Sequence, residues 1–418
     1  MIDWRQRGAA LDEADPLASF RERFAHHDAP RIYLDGNSLG RMPFATAARI
    51  DAVMREWQRE LVGGWHEWID APVRSGDLLA EAVLGARPGE VLACDSTTVN
   101  FYKLVRAALG ARPDRHVIVS DRDNFPTDRY VLEGLAGTGA AELRLLDCDP
   151  VHGPQAADVR AACAGDDVAL VTLSHVAYRS GALADLPAIT DAAHAGGALA
   201  LWDLSHSAGA LPIDLEATGV DLAVGCTYKY LNAGPGAPAY LYVRTSLQES
   251  LRSPIQGWFG QRDQFEMERP YEPHAGVRRF LAGTPPILGL AAVDVGAELV
   301  GEAGIEAIRA KAGSLTTLAI DIYDAELAAL GFELGTPRAV HARGAHVSLR
   351  HPEAWRICRA LIERARVLPD FRGPDSVRLG FSPLYTRHAD VVDALERLRE
   401  LVQDGVHLEF EGEPARVT

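Results

Sequence analysis

Between about residues 90 and 245, short apolar runs alternate with longer segments of helical period. The runs cover 116–120, 142–146, 168–173, 198–202, 222–226 and 239–243. Most are continuously apolar instead of alternating, the mark of strands covered on both faces. Helical stretches such as 127–137 and 186–195 lie between several of them. This order predicts an α/β domain with a mostly parallel central sheet. In such sheets ligands sit at the carboxyl ends of the strands, so the residues just after each run are where chemistry is to be sought.

The pattern then changes. After Pro285-Pro286 it reads as long helix to about residue 330, followed by runs at 340–349 and 377–381 and helical stretches at 354–366 and 390–403. These predict a smaller α+β unit. The first 45 or so residues show little periodicity and are expected to pack across both units. The expected division is an N-terminal segment (1–48), a large α/β domain (49–300) and a small α+β domain (301–418). There is no internal repeat and no low-complexity segment.

Composition narrows the function classes. The 418 residues are 47% hydrophobic and 24% charged, with a net charge of −16. A nucleic-acid binder needs a basic footprint, and none is present. The N-terminus carries acidic residues where a secretory signal needs an apolar stretch. No window approaches the roughly 18 to 20 apolar residues that span a bilayer. The five cysteines are odd in number, scattered and without CxxC spacing, which predicts reduced thiols, no disulfide framework and no metal site. The expected location is the cytoplasm.

Four places carry candidate chemistry. Asp203 follows an apolar run directly, where a carboxylate can pair with a pyridine nitrogen and keep it protonated; a turn cap is the plainer reading. Lys229 follows the next run and precedes a Gly-Pro-Gly turn. A lysine taken out of water is pushed toward its neutral form, the form that condenses with an aldehyde. A solvated loop lysine is the plainer reading, but the pair with Asp203, both at strand ends, favours pyridoxal phosphate (PLP). Thr97 and Thr98 open a helical stretch, where hydroxyls and free amide groups cradle phosphate or merely cap. Phe125 and Asp128 follow the run at 116–120; Phe125 can lie flat on a pyridine ring, and Asp128 can contact the cofactor as well as cap a helix.

Taken in order, the segments YLDGNSLG (33–40), DSTTVN (95–100), DNFPTD (123–128), DLSHSAGA (203–210) and CTYKYLNAGPG (226–236) resemble fold-type I PLP enzymes of the aminotransferase class V group. With QGWFG (256–260), FLAGTPP (280–286), RGAHVSLRH (343–351) and VRLGFSPLY (377–385), the set resembles the kynureninase family over nearly the whole chain. The resemblance implies the PLP-dependent transferase-like fold and roles for individual residues. Lys229 is the Schiff-base lysine, Asp203 the partner of the pyridine nitrogen and Phe125 the ring-stacking residue. Asp128, Ser174 and His206 are further cofactor contacts, and Thr97, Thr98 and Tyr228 hold the phosphate. Trp258 and Thr284 reach the phosphate of the partner subunit's cofactor, which implies a homodimer. Arg378 grips the substrate carboxylate, and Ser38, Trp65 and Phe259 complete the substrate pocket. His66 and Trp68 are also candidates for its aromatic wall, although such clusters often only pack a helix end. Two departures are small: Thr127 stands where relatives often have Ser, and Thr284 where some have Asn.

The implied reaction is hydrolysis of L-kynurenine, or 3-hydroxy-L-kynurenine, to anthranilate or its 3-hydroxy form and L-alanine, in tryptophan breakdown. Lys229 takes the Cα proton, Asp203 holds the electron sink, water adds to the γ-carbonyl, and Tyr228 assists as acid and base. Another class V activity, such as an aminotransferase, stays open on the Lys229–Asp203 pair alone. A desulfurase needs a reactive late cysteine, and Cys358 lies inside a helical stretch. A non-catalytic PLP-binding regulator is disfavoured, because too few residues precede the α/β unit for a DNA-binding fusion.

Overall fold

In the computed structural model, the structure describes residues 2–26, 31–267 and 269–411; small parts of the expected N-terminal and C-terminal segments lie outside the described residues. The strong apolar runs form a seven-stranded sheet. Its spatial order is Val91–Ala93, Tyr240–Val243, Leu222–Gly225, Leu199–Asp203, Val168–Ser174, Val117–Asp121 and Glu142–Leu146. The last five are mutually parallel, and the first two are antiparallel to their neighbours. The three-residue strand Val91–Ala93 is too short to announce itself as a pattern.

In most of these strands alternate residues enter opposite cores, which is why the runs are continuously apolar; in Val168–Ser174 a register shift puts the neighbours Ala169 and Leu170 in the same core. Val117, Val119, Ala200, Trp202, Ala223 and Tyr242 pack on one face. Ile118, Leu199, Leu201, Leu222, Val224 and Leu241 pack on the other. The period of two thus divides one apolar run between two covered faces. Trp202 also satisfies its indole N–H, donating to Thr190 Oγ1 at 3.0 Å.

The long helix expected after Pro286 is two helices, Ile287–Ala303 and Ile305–Ile322, parted at Gly304. Gly304 has φ of 77°, and a Cβ there would meet nothing within 4 Å, so conformation and not space demands glycine. Beyond it a four-stranded antiparallel sheet runs in the order Asp370–Arg372, Ser376–Gly380, His346–Arg350 and Glu333–Leu334. The run expected at 340–349 becomes a strand only from His346; its start is a short 3-10 turn, Val340–Ala342. The helices Ala354–Glu363 and His388–Gln403 supply Ile357, Leu361, Val391 and Leu395 to the core of this unit, against Val347, Leu349, Val377 and Leu379.

The N-terminal residues hold more structure than their pattern suggests. Helix Trp4–Glu13 buries only Trp4 and Gly8, which leaves little periodicity to read. It lies on His388–Gln403, where a Cβ on Gly8 would come within 3.0 Å of Val392. Ile32–Tyr33 then pairs with Val367–Leu368, and residues 35–40 cross toward the end of the large sheet. Among the described residues no helix is long and apolar enough to cross a membrane.

Candidate active site

The carboxyl ends of the parallel strands converge as the α/β pattern requires. Ser174 and Asp203 end adjacent strands in register. Gly225 ends the next strand, and the chain continues through a tight loop to Lys229, which is 8% exposed. Lys229 Nζ stands 3.1 Å from His206 Nε2 and 5.7 Å from the centroid of the Phe125 ring. The same imidazole nitrogen is 3.1 Å from the Asn37 carbonyl. It accepts from the Lys229 ammonium or donates to Asn37, and a single neutral tautomer cannot do both. Burial and the charge on Lys229 push the His206 imidazole well below its usual range, so it stays neutral.

Two carboxyl groups face each other nearby. Asp203 Oδ1 accepts from the Ser205 N–H at 2.9 Å, so the turn-capping reading of this residue is also true. Asp128, in the first turn of helix Pro126–Gly137, is 2% exposed and its Oδ2 has no hydrogen-bond partner. Burial, reinforced by the Asp203 charge, holds the Asp128 carboxyl well above the usual carboxylate range. Phe125 lies edge-on to Tyr178 with centroids 5.4 Å apart. Its loop is fixed by Asn124, whose Oδ1 accepts from the Phe125 N–H at 2.8 Å and from Ser174 Oγ at 2.7 Å. Ser174 therefore acts on this loop through Asn124.

These residues fit PLP. The orphaned oxygen of Asp128 beside Asp203 calls for a donor such as a pyridinium N–H. A buried lysine and an aromatic ring stand next to that pair. Tyr228 is half-buried, its phenol pushed up by burial, and its carbonyl accepts from Gly40 at 2.7 Å, tying the 35–40 loop to the lysine loop.

Thr97 and Thr98 open the 14-residue helix Thr97–Gly110, capped by Ser96 Oγ, which accepts from the Val99 N–H at 3.4 Å. On the buried face of the same helix, Lys103 donates to Asp95 at 2.6 Å and to the Phe280 carbonyl at 2.6 Å. Asp95 has φ of 50°, so this bond holds a strained turn in place. Thr97 is half-buried and Thr98 exposed, leaving their hydroxyls open to an anion.

Arg378 is 1% exposed. Its Nη1 donates to the Tyr178 carbonyl at 2.7 Å and its Nη2 to Ser38 Oγ at 2.8 Å, so the structure brings Ser38 and Arg378 together. Asp370 pairs directly with the same Nη2, while Nε has no partner. Arg372 shares Asp370, Nε to Oδ2 at 2.6 Å.

The aromatic candidates form a separate cluster. Trp65 lies 5.7 Å from Trp68 and 6.1 Å from Phe259, and Phe259 lies 4.6 Å from Trp258. Phe259 is buried; Trp258 is 41% exposed, and Thr284 and His66 are exposed. Among the described residues, no hydrogen bond or ring contact joins this cluster or Thr284 to Lys229.

Sequence reasoning passed over several residues of the site. Asn37 and His346 are both 0% exposed, and their side-chain polar atoms lack partners. His346 packs edge-on to His206 with centroids 5.5 Å apart. Asn37 lies beside Ser38 in the 33–40 motif, and His346 in the 343–351 segment, which carries the resemblance but implied no role for any of its residues. Asp370 and Arg372 lie in no motif, and their only signal is an Asp-Phe-Arg triplet in a short strand.

Comparison with known proteins bears on this geometry. A family model for the kynureninase C-terminal domain matches residues 308–398, and one for aminotransferase class V matches residues 76–351. A kynureninase of Burkholderia pseudomallei is 44% identical over 407 residues, covering 95% of both chains. A kynureninase of Pseudomonas fluorescens is 44% identical over 402 residues, covering 94% of both. Among solved structures, a cysteine desulfurase of Thermococcus onnurineus superposes with a TM-score of 0.77 at 20% identity, over 90% of this chain and 95% of that one. The cystine C–S lyase C-DES, in complex with cysteine persulfide, gives a TM-score of 0.78 at 19% identity, over 89% and 98%. At such identities these two speak for the fold.

Proposed function

The chain belongs to the kynureninase family, and from that premise we infer that it is a PLP-dependent hydrolase converting L-kynurenine to anthranilate and L-alanine. The observation that carries this reading is near-full-length identity to kynureninases, joined to a buried corner of Lys229, His206, Asp203 and Asp128 that suits the cofactor. The setting is tryptophan breakdown by way of kynurenine.

When bound, PLP supplies an aldehyde for amine linkage and a protonated ring that takes up the electron pair left at Cα. Asp203, with Asp128 beside it, would hold the proton on the ring nitrogen. Phe125 would cover one ring face and keep water off it. Thr97, Thr98 and Tyr228 would bind the phosphate. Lys229, displaced by the substrate's amine, would remove the Cα proton and return it later, and the neutral His206 gives its ammonium form a partner. Arg378 and Ser38 would take the substrate carboxylate, with the unpartnered Nε of Arg378 as the waiting donor. Trp65 and Phe259 would wall the aryl ring. Tyr228 would pass a proton to and from the γ-carbonyl oxygen as water adds and the Cβ–Cγ bond breaks.

We assign the active form as a homodimer in which Trp258 and Thr284 serve the cofactor phosphate of the partner subunit. Their exposure, and their separation from Lys229 within one chain, support this. So does a set of exposed apolar side chains, Trp57, Trp258, Phe265 and Met267, of the kind that marks an interface. Five free cysteines suit a reducing, cytoplasmic setting.

The test is to give L-kynurenine to the PLP-loaded protein and measure both products. Anthranilate fluorescence with L-alanine in equal amount is expected, lost in Lys229→Ala. A keto acid in place of anthranilate would move the assignment to transamination.

A further inference from the structure

Four charged side chains crowd the corner where residues 35–40 meet the strand Ser376–Gly380. Arg378 and Asp370, with side chains 1% exposed, are in direct contact. Arg372 lies 2.6 Å from Asp370, and Asp35 Oδ1 lies 3.9 Å from Arg378 Nη2 with its side chain 18% exposed. Among these four described side chains, two cations offset two anions. On the reading above, in which the substrate's carboxylate docks on Arg378, a third anion enters against two cations. A buried charge without compensation is costly, so one anion must be neutralised or expelled.

Asp370 is poorly placed to give way, since both guanidiniums touch it. Asp35 touches one, at longer range, and is held besides by the Ser38 hydroxyl, which itself accepts from Arg378. We propose that Asp35 is a specificity-determining partner of Arg378, taking up a proton as the substrate's carboxylate docks and so letting the corner receive an anion without gaining charge. Burial, together with the Asp370 charge, already holds the Asp35 carboxyl up at about 6. Among the described residues, the phenols, thiol and imidazole beside the corner do not change charge between about pH 6 and 8. Tyr33, Tyr230 and Tyr385 are phenols pushed up by burial. The Cys358 thiol is pushed up by burial and by the charges of Asp370 and Asp35. His346, on the adjacent strand, is held well below its usual range by burial and by Arg378, and stays neutral.

The probe is 4-oxo-4-phenylbutanoate, which keeps the carboxylate, ketone and ring of the substrate but has no amine to react with the cofactor. Its own carboxylate is fully ionised above about pH 6. Its inhibition constant against L-kynurenine is expected to rise with pH above about 6, by up to tenfold per unit, because the protonated site binds it better. Asp35→Asn is isosteric and is expected to hold the constant at its low-pH value throughout. Calorimetry on the wild-type holoenzyme at pH 7, in two buffers of different ionisation heat, should show uptake of up to about one proton on binding, and none for the variant. A flat wild-type profile, zero uptake, or an unchanged rise in Asp35→Asn would overturn the proposal. Arg378→Lys separates the two layers. If it leaves the acid's affinity untouched at every pH, the carboxylate site itself is wrong; if it weakens binding while Asp35→Asn changes nothing, only the role of Asp35 falls.

Discussion

The corner around Lys229 and the face around Trp258 are built on opposite terms. Lys229, Asp203, His206 and Asp128 are each 8% exposed or less, and every one has its partner or its rival in the same chain. Trp258 and Thr284 are exposed, while Phe259 against Trp65, the Phe280 carbonyl on Lys103 and Arg278 on Asp70 are among the contacts that anchor their loop. The first region is finished by folding, because strand ends bring its groups together and burial sets their protonation. The second presents apolar surface that folding leaves uncovered. On the homodimer proposed above, a pocket that needs both is complete only in the assembly, and the variants that separate the regions test this division.

The largest effect is expected at the core of the buried corner. Lys229→Ala should lose product formation altogether and lose the visible absorbance of lysine-linked cofactor, while circular dichroism stays unchanged. Asp203→Asn keeps the shape but withdraws a preorganised charge, so kcat should fall by about a hundredfold or more. A fall in KM alone would contradict the electron-sink role.

Next comes the test across the two regions. Trp258→Ala should weaken cofactor retention, and mixing it with Lys229→Ala should rebuild intact sites from two defective chains. With random exchange of subunits, about a quarter of wild-type activity is expected. If the mixture shows no more than the sum of its parts, the two residues serve the same chain's site and the division fails.

Arg378→Lys is expected to act mainly on KM, raising it at least about tenfold, because a point charge replaces a planar fork. A loss confined to kcat would point to a different role.

The smallest effect concerns stability. Asp128 has a folded-state carboxyl held well above the usual range, so the unfolded chain ionises first as pH rises. That costs the apoprotein stability from about pH 4 upward, until the folded group also ionises. Asp128→Asn should therefore raise the Tm of the apoprotein at neutral pH while lowering its affinity for PLP. A Tm lowered to the same extent at pH 4 and pH 7 would show that the side chain serves packing alone.

Much of the buried corner was legible because its groups follow strong apolar runs, and a parallel sheet puts strand ends at one edge. Lys229 and Asp203 declare themselves by position. The Ser38–Arg378 contact had no such signal; it depends on how residues 35–40 cross between sheets, and only the resemblance linked the two. Asp370 and Arg372 stayed hidden because a three-residue strand gives no periodicity. Helix Trp4–Glu13 was missed for a related reason, since a helix that buries two residues leaves almost no stripe. Gly304 was readable as a glycine, but nothing in the surrounding helical pattern shows that the chain turns to φ of 77° there.

On the proposed function, this corner adds water across a carbon–carbon bond of L-kynurenine. Turnover of the PLP-loaded protein in water labelled with heavy oxygen tests it most directly, by mass spectrometry of both products. One labelled oxygen is expected in the carboxylate of anthranilate and none in L-alanine, with no labelled anthranilate from Lys229→Ala. Kynurenine consumed without labelled anthranilate would contradict it.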